Sequence, residues 1–502
     1  MMRKFCTVAV IATAVLLSVA YADDSAAVSK TKHPLSLQES LQRALKDNPL
    51  VKIERINTDI AASIVKENDV AMYDPVFRAA YDISDRLATS SAPPTPNALS
   101  HDLSLSISES LPTGTDIEFA MRASGTSSSS YRAQINGEDS VIQSAGKYQN
   151  SASLTVTQAL LQGRGKSANL VTLQKSRIDM NIRKEELAAY ALKLLSDTER
   201  AYWDLLSSGE QMGIYTYSLE LAQRLLYESE ERLNIGGIAP IELVAIRAEV
   251  ASRERQLFDA QTAYRQKALT LAYLMNAPDL MDAELLLTDS AGMELGDADG
   301  VDEHITAAKS FRPDYLQAFM QAQKGELDLI QTQNGLLPRL DFHASLTGVT
   351  DAGSPKGVAP GAGDKFSPII AAGLTLRLPI RNNSAKERYR RSEFSMDQQR
   401  LSIENYVRLI DYEIRGAHIE VQRARRQIET AKTVSALQLQ KLEAEHEKMN
   451  AGKSTGYAVL QVQRDLVSAN LDAAQARTSY VAALLTLYSK DGTFLQRRGV
   501  TF

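Results

Sequence analysis

Cysteine is all but missing from this chain: among 502 residues there is one, Cys6. It sits in a stretch that reads as a secretory signal peptide over residues 1–22. Arg3 and Lys4 make a basic start, Val8 to Val19 an apolar run and Ala20-Tyr21-Ala22 a small-x-small cleavage site, with an uncleaved anchor as the other reading. A chain beginning at Asp23 would hold no thiol, which excludes a disulfide scaffold, a cysteine-based metal site and a lipid anchor on cysteine. Aromatics are 6% of residues and prolines number 15 while charged residues reach 23%, a balance that suits long solvated helices better than a compact enzyme core. No second stretch holds 18 apolar residues, so any crossing of a membrane would have to be made by a β-barrel. A net charge of −5 offers nothing to nucleic acid.

Chemistry is equally scarce. The six histidines, His33, His101, His304, His343, His418 and His446, show no ligand spacing, so no metal is expected. Gly165-Lys166-Ser167 and Gly452-Lys453-Ser454 look like the ends of phosphate loops, but the glycine that such a loop needs earlier is Leu160 in one and Glu447 in the other. No Ser/His/Asp set stands out from chance. No catalytic residue, no cofactor and no enzyme activity are assigned.

What the chain does have is a repeated turn. Arg232-Leu-Asn234-Ile-Gly236-Gly237-Ile-Ala-Pro240 is matched 216 positions later by Lys448-Met-Asn450-Ala-Gly452-Lys-Ser454-Thr455-Gly456. Each copy has a Gly at the place that ends one helix and a breaker four residues on, where the next begins. Apolar residues recur in sevens on both sides. Leu205, Met212, Leu219, Leu226 and Leu233 lead to the first turn, and Leu243, Val250, Leu257, Tyr264 and Leu271 leave it. Val407, Ile414, Val421, Ile428, Ser435, Leu442 and Met449 lead to the second; Val459, Leu466, Ala473, Tyr480 and Leu487 leave it, with Val462, Ala469, Ala476 and Ala483 completing an a/d seam. The chain therefore contains two long helical hairpins.

Each hairpin is preceded by a change of period. Helical spacing from Leu35 to Met72, punctuated at Asn48-Pro49, gives way to alternation in 76–83, 103–107, 115–122 and 154–160, with Pro93-Pro94-Thr95-Pro96 and Ser127–Ser130 as loops. The order recurs: Arg312-Pro313 opens a helix to Leu337-Pro338, strands follow at 340–346 and 369–378 with a loop over 351–365, and a helix restarts near Asn383. The expected organisation is a first repeat over 23–302 (strands 75–161, hairpin 167–276, linker 277–302) and a second over 303–502 (strands 339–380, hairpin 383–489, then a tail). From Pro49 to Pro313 is 264 positions but from Gly236 to Gly452 is 216, so the first repeat carries 48 more residues, nearly all among its strands. Each ascending helical run spans about 68 residues, on the order of 100 Å at 1.5 Å per residue.

Taken in order, Leu35-Ser-Leu-Gln-Glu-Ser-Leu with Asn48-Pro49, Ala201-Tyr-Trp-Asp-Leu205, Arg312-Pro-Asp, Leu336-Leu-Pro-Arg-Leu340, Leu376-Arg-Leu-Pro-Ile380 and the two turns resemble the TolC family of outer membrane efflux proteins. The resemblance covers essentially the whole chain after residue 22. It implies a mainly α protein with a transmembrane β-barrel portion, in which three copies pool their strands into one barrel and their coiled-coil hairpins form a periplasmic tunnel. It also implies an equatorial belt, for which 277–302 and the tail after Ser489 are candidates. Independently, a handful of strands is too few for a barrel from one chain, and open edges cannot face lipid, so copies must pool strands. Family members typically give four strands per chain. The surplus hairpin here, Leu103 to Arg122 around Pro112-Thr-Gly-Thr115, either joins the barrel or lies outside it; four barrel strands per chain is the expectation.

By the same resemblance the chain would be an outer-membrane exit duct of a tripartite efflux or type I secretion system in a Gram-negative bacterium, passing small molecules or proteins. Its partners would be two further copies, outer membrane lipid, a periplasmic adaptor and, through the adaptor, an inner-membrane transporter. Asn234, Gly236, Gly237, Pro240, Asn450, Gly452, Ser454 and Thr455 are the candidate adaptor contacts. Glu443, Glu445 and Glu447 are candidates for a gate, with Glu443 the best match by tip alignment, since symmetry turns an inward carboxylate into a ring that favours cations; a solvated face paired with Lys441 and Lys448 is the alternative. A periplasmic coiled-coil scaffold without a barrel is the rival architecture.

Overall fold

The structure, a computed structural model, describes residues 32–86, 98–127, 129–135, 138–144, 146–236, 238–281, 283–289, 300–352 and 367–500. The signal-like stretch, Pro93–Pro96, Gly237 and the whole of the 290–299 and 353–365 segments lie outside these.

Two short helices open each repeat, and their lengths match: α1 (Leu37–Asp47) and α2 (Pro49–Val70) have 11 and 22 residues, as do α6 (Val301–Phe311) and α7 (Pro313–Asn334). Proline sets each boundary, because the residue before it is pushed out of the helical region. Asn48 and Arg312 are accordingly extended, at ψ 122° and 113°. Asn48 then caps α2 by accepting from Leu50 N at 2.9 Å. Arg312, at the same place in the second repeat, makes no cap and instead pairs with Asp314 and Glu413.

The long helices are α4 (Val171–Asn234), reached through the short α3 (Lys166–Asn169), and α8 (Asn383–Asn450), of 64 and 68 residues. Their return arms, α5 (Pro240–Leu274) and α9 (Gly456–Lys490), are 35 residues each, roughly 52 Å of helix. The arms pack as the sevenfold spacing requires. Val459, Val462, Leu466, Ala469, Ala476, Tyr480 and Leu487 are all buried against α8 and its neighbours. Each Val or Leu so buried is worth about 1.5–3 kcal/mol, and a single Leu466→Ala would remove about 2–5 kcal/mol.

Between the arms and the strands lies a belt of short elements. β1 (Lys32–Leu35) pairs in parallel with β8 (Glu284–Leu287) across the two ends of the first repeat. Tyr202 of α4, fully buried, donates from its hydroxyl to Leu35 O at 3.1 Å and to Asp289 at 2.6 Å, holding that sheet on the helix. On the opposite flank α10 (Phe494–Arg497) inserts Phe494 and Leu495 among Leu41, Ala191, Leu195, Val481 and Leu485. Arg498 pairs there with the buried Glu199, whose pKa is raised because burial outweighs the arginine beside it.

Six of the strands form one sheet. β2 (Val76–Arg86), β3 (Ala98–Leu111), β4 (Thr115–Thr126), β7 (Lys147–Ala159), β9 (Arg339–Ala352) and β10 (Ser367–Arg377) are ordered β10-β9-β7-β4-β3-β2, antiparallel throughout. A separate hairpin, β5 (Ser129–Ile135) with β6 (Glu138–Ser144), extends the β4–β7 connection. Two expectations need correction. The surplus hairpin does not stand apart from the other strands: β3 and β4 pair on both sides, so the sheet has six strands and not four. Ser127–Ser130 is not wholly a loop, since β5 begins at Ser129; Ser129 and Ser130 are supplied with cross-strand partners by β6, which composition cannot foresee.

The sheet's two faces differ in kind. On β3 the even positions Ser100, Asp102, Ser104, Ser106, Ser108 and Ser110 are polar, and the odd positions include Leu99, Leu103, Leu105, Ile107 and Leu111. Register carries this division across the whole sheet. Phe77, Ile107, Phe119, Leu154, Leu346 and Ile370 stand side by side, one per strand, each at least 44% exposed. Arg78, Ser106, Ala120, Ser153, Thr347 and Ile369 form a row next to it on the other face. An exposed apolar face of this height, backed by hydroxyls, is how a barrel wall meets hydrocarbon outside and water within.

Candidate functional site

The two hairpin turns fold by the chemistry that their residues supply. Gly236 and Gly452 both take positive φ, +75° and +70°, where a side chain would be strained. Asn234 and Asn450 are the last residues of α4 and α8, and Pro240 occupies the first turn of α5. Thr455 caps α9, its hydroxyl accepting from Ala458 N at 3.3 Å. Lys453 N reaches back to Lys448 O at 2.8 Å. Of the eight residues expected at the tips, seven are described and all lie on the two turns; Gly237 is outside the described residues.

The turns are also brought together, which spacing alone does not reveal. Arg232 donates to Asn450 across the gap at 3.4 Å, and a Cβ on Gly456 would meet Ile246 of the first hairpin at 3.3 Å. Behind them Leu225 and Ile246 share a buried cluster with Leu442, Met449, Val459, Leu460, Val462 and Leu466. Ile235 and Ile241, at 83% and 73% exposure, and Tyr457 and Val244 stay uncovered around this joint. Such a set of apolar side chains around a polar turn is the composition of a contact surface.

The three acidic residues separate into two kinds. Glu445 is spoken for: the Ser454 hydroxyl donates to it, and Lys448 pairs with it at 3.0 Å. The Ser454 bond and then Lys448 hold its carboxyl below the usual carboxylate range. It therefore ties the turn to the helix that enters it. Glu443 and Glu447, one turn apart on α8, are exposed, and their carboxylates take no part in the hydrogen bonds or ion pairs among the described residues. Lys441, the alternative partner, is engaged with Asp465 of α9 at 2.8 Å. A free pair of carboxylates on one helix face near the tip is chemically able to form a cation-attracting ring on oligomerisation.

Sequence reading missed a clasp between the hairpins. Glu249 of α5, 8% exposed at its side chain, pairs with Arg253 at 2.8 Å on its own helix and with Arg464 of α9 at 2.5 Å. Burial works to raise the Glu249 pKa, but the Arg464 hydrogen bond and the charges of Arg253 and Arg464 outweigh it, and the net shift is downward. A signal was present: Ile246, Arg253 and Ala260 are seven apart, so Arg253 is a charge in an apolar series. Charges in such places fix register and partner at a cost in stability.

With this geometry established, residues 305–493 match the family model described as outer membrane efflux protein. The pyoverdine export outer membrane protein OpmQ of Pseudomonas aeruginosa is 27% identical over 315 residues, 61% of this chain and 62% of OpmQ. The chain is thus similar to TolC-like outer membrane efflux proteins, with the family match on its second repeat. Its match spans less than two thirds of OpmQ's length. Among solved structures, the Campylobacter jejuni CmeC outer membrane channel aligns at TM-score 0.64 and 16% identity, over 91% of this chain and 85% of CmeC. A membrane protein from Pseudomonas aeruginosa aligns at TM-score 0.65 and 16% identity, over 91% and 92%. At that identity the likeness establishes the fold: helical hairpins carrying a sheet of barrel strands.

Proposed function

We propose that this protein is a passive outer-membrane exit duct for efflux, a homotrimer in a Gram-negative outer membrane that passes cargo through a water-filled, gated path. The observation that carries the reading is the apolar row Phe77, Ile107, Phe119, Leu154, Leu346 and Ile370 running unbroken across a sheet with a hydroxyl-rich reverse face. One copy leaves β2 and β10 as unpaired edges, which hydrocarbon does not tolerate, so copies must close on each other. The lateral helices agree. α2 presents Ile53, Ile56, Ile60 and Ile64, and α8 presents Phe394 and Leu401, all exposed in the single chain and suited to copy-to-copy packing.

The duct supplies no chemistry and binds no cofactor. Energy comes from an inner-membrane transporter coupled through a periplasmic adaptor that docks on the paired tips, with Asn234, Gly236, Gly237 and Pro240 on one turn and Asn450, Gly452, Ser454 and Thr455 on the other. Pyoverdine export by OpmQ makes small-molecule efflux the first cargo class to assay, ahead of type I protein secretion. Purified mature protein should give discrete ion-conducting steps in a planar bilayer and should fractionate with detergent-extracted outer membrane. Recovery in the aqueous periplasmic fraction without conductance would establish the coiled-coil scaffold instead.

A further inference from the structure

The surplus hairpin of the first repeat sits in the middle of the sheet and not at its rim. β3 pairs with β2 from Val76↔Ser108 to Arg86↔Ala98, and β4 pairs with β7 from Thr115↔Gln158 to Thr126↔Lys147, ladders as long as that joining β9 to β10. Ile107 and Phe119 fill their places in the apolar row, and Ser104, Ser106 and Ser108 fill theirs on the reverse face. On that reverse face Arg122 of β4 grips Asp102 of β3 through Nε, at 2.9 and 2.8 Å to its two oxygens.

The hairpin's turn is built into the joint where the wall meets the helices. Asn169 Nδ2 donates to Pro112 O at 3.1 Å, Gly163 O at 2.8 Å and Gly165 O at 3.1 Å, and Gly165 N donates to Thr113 O at 3.0 Å. Gly114, at φ +81°, lies so close that a Cβ would come within 2.2 Å of Gly163 O. A loose extracellular or periplasmic flap has no need of such an anchor.

We propose that β3–β4 is a barrel-widening insertion: each copy contributes six strands to the wall, so that three copies enclose eighteen, and the added wall is lined mainly by serine hydroxyls suited to bulky polar cargo. This rests on the trimeric-duct reading above. With strands about 4.8 Å apart and tilted about 40°, twelve strands give a backbone radius of about 12 Å and eighteen about 18 Å. The lumen cross-section then roughly doubles, so the limit on cargo size passes from the barrel to the tips. Insertion of a whole hairpin also preserves strand direction and face, so its removal would leave β2 free to meet β7 with apolar residues still outward.

The test measures distance between copies. Cys6 is the sole native cysteine, so a Cys6→Ser background with Ala152→Cys, on the apolar face of β7, takes one spin label per copy. Pulsed dipolar spectroscopy on the extracted oligomer should give equivalent backbone points about 30 Å apart for eighteen strands and about 20 Å for twelve, with the same added label length in both. Deletion of residues 98–126 in the same background should shorten the distance by about 10 Å. The spin count per oligomer, from modulation depth, is read separately. Three spins at the short distance in the full chain overturns the widened barrel and leaves the trimer standing; two spins overturns the trimeric reading itself. Three spins at the long distance upholds the proposal even where the deletion variant fails to assemble.

Discussion

Glu249→Ala should loosen the joint between the two hairpins far more than Arg464→Ala, although the two residues are partners. The asymmetry comes from burial. Arg253 is 5% exposed at its side chain and its ion-pair partner among the described residues is Glu249, so removing the carboxylate strands a buried guanidinium. Breaking a buried pair from one side costs about 3–5 kcal/mol. Removing Arg464, which is 48% exposed, leaves Glu249 still paired with Arg253 and costs about 1 kcal/mol or less. At about 1.4 kcal/mol per tenfold change, amide hydrogen exchange across 243–260 and 456–470 should quicken at least about 100-fold in Glu249→Ala and less than about 10-fold in Arg464→Ala. Exchange in the barrel strands should not change in either. Equal acceleration in the two variants would refute the reasoning, because it would mean that Arg253 finds another partner and the carboxylate acts through Arg464 alone.

The same clasp has a pH signature. The Glu249 pKa is lower folded than unfolded, so its contribution is fully present above the ordinary carboxylate range and is lost as pH falls through the depressed folded value. Tip exchange should therefore be flat from pH 7 to about 5, after correction for intrinsic rates, and rise only below about pH 4.5; a rise near pH 6 would assign the effect to a histidine. Gly452→Trp strains a residue at φ +70° on the tip and should abolish export in a complementation assay while leaving oligomer and membrane extraction intact; normal export would remove this turn from the docking surface. Gly114→Val drives a side chain into Gly163 O and should lower the heat-dissociation temperature of the oligomer on gels, with Asn169→Ala producing a smaller loss in the same direction. Glu443→Ala should reduce cation selectivity in single-channel recordings and Glu445→Ala should not, since Glu445 is committed to Ser454 and Lys448; the reverse order would transfer the gate to Glu445.

Periodicity and breakers carried much of this protein. Sevenfold spacing around Gly236 and Gly452 determined two antiparallel helical hairpins, because apolar seams and αL glycines act within a few residues of themselves. Asn48-Pro49 and Arg312-Pro313 marked the paired opening helices for the same local reason. The 48-residue excess of the first repeat was legible as a number, and so was its location among the strands. Its meaning was not. Whether β3 and β4 join the sheet depends on which strands lie on either side of them, and alternation in 98–126 is the same for a strand of a large sheet and for a free hairpin. Only the register of Ile107 with Phe77 and of Phe119 with Leu154 decided it. The acidic cluster behaved alike: tip alignment favoured Glu443, but spacing could not say which of Glu443, Glu445 and Glu447 would be engaged, and the fold separated them by bringing Ser454 back onto Glu445. The Glu249–Arg464 clasp joins residues 215 positions apart, a pairing that no local pattern encodes. Local sequence thus determined the elements and their lengths, because propensity, capping and face periodicity act over a few residues. The tertiary structure decided what those elements touch: how many strands share the sheet, which carboxylates remain free, and that the two tips form one joint.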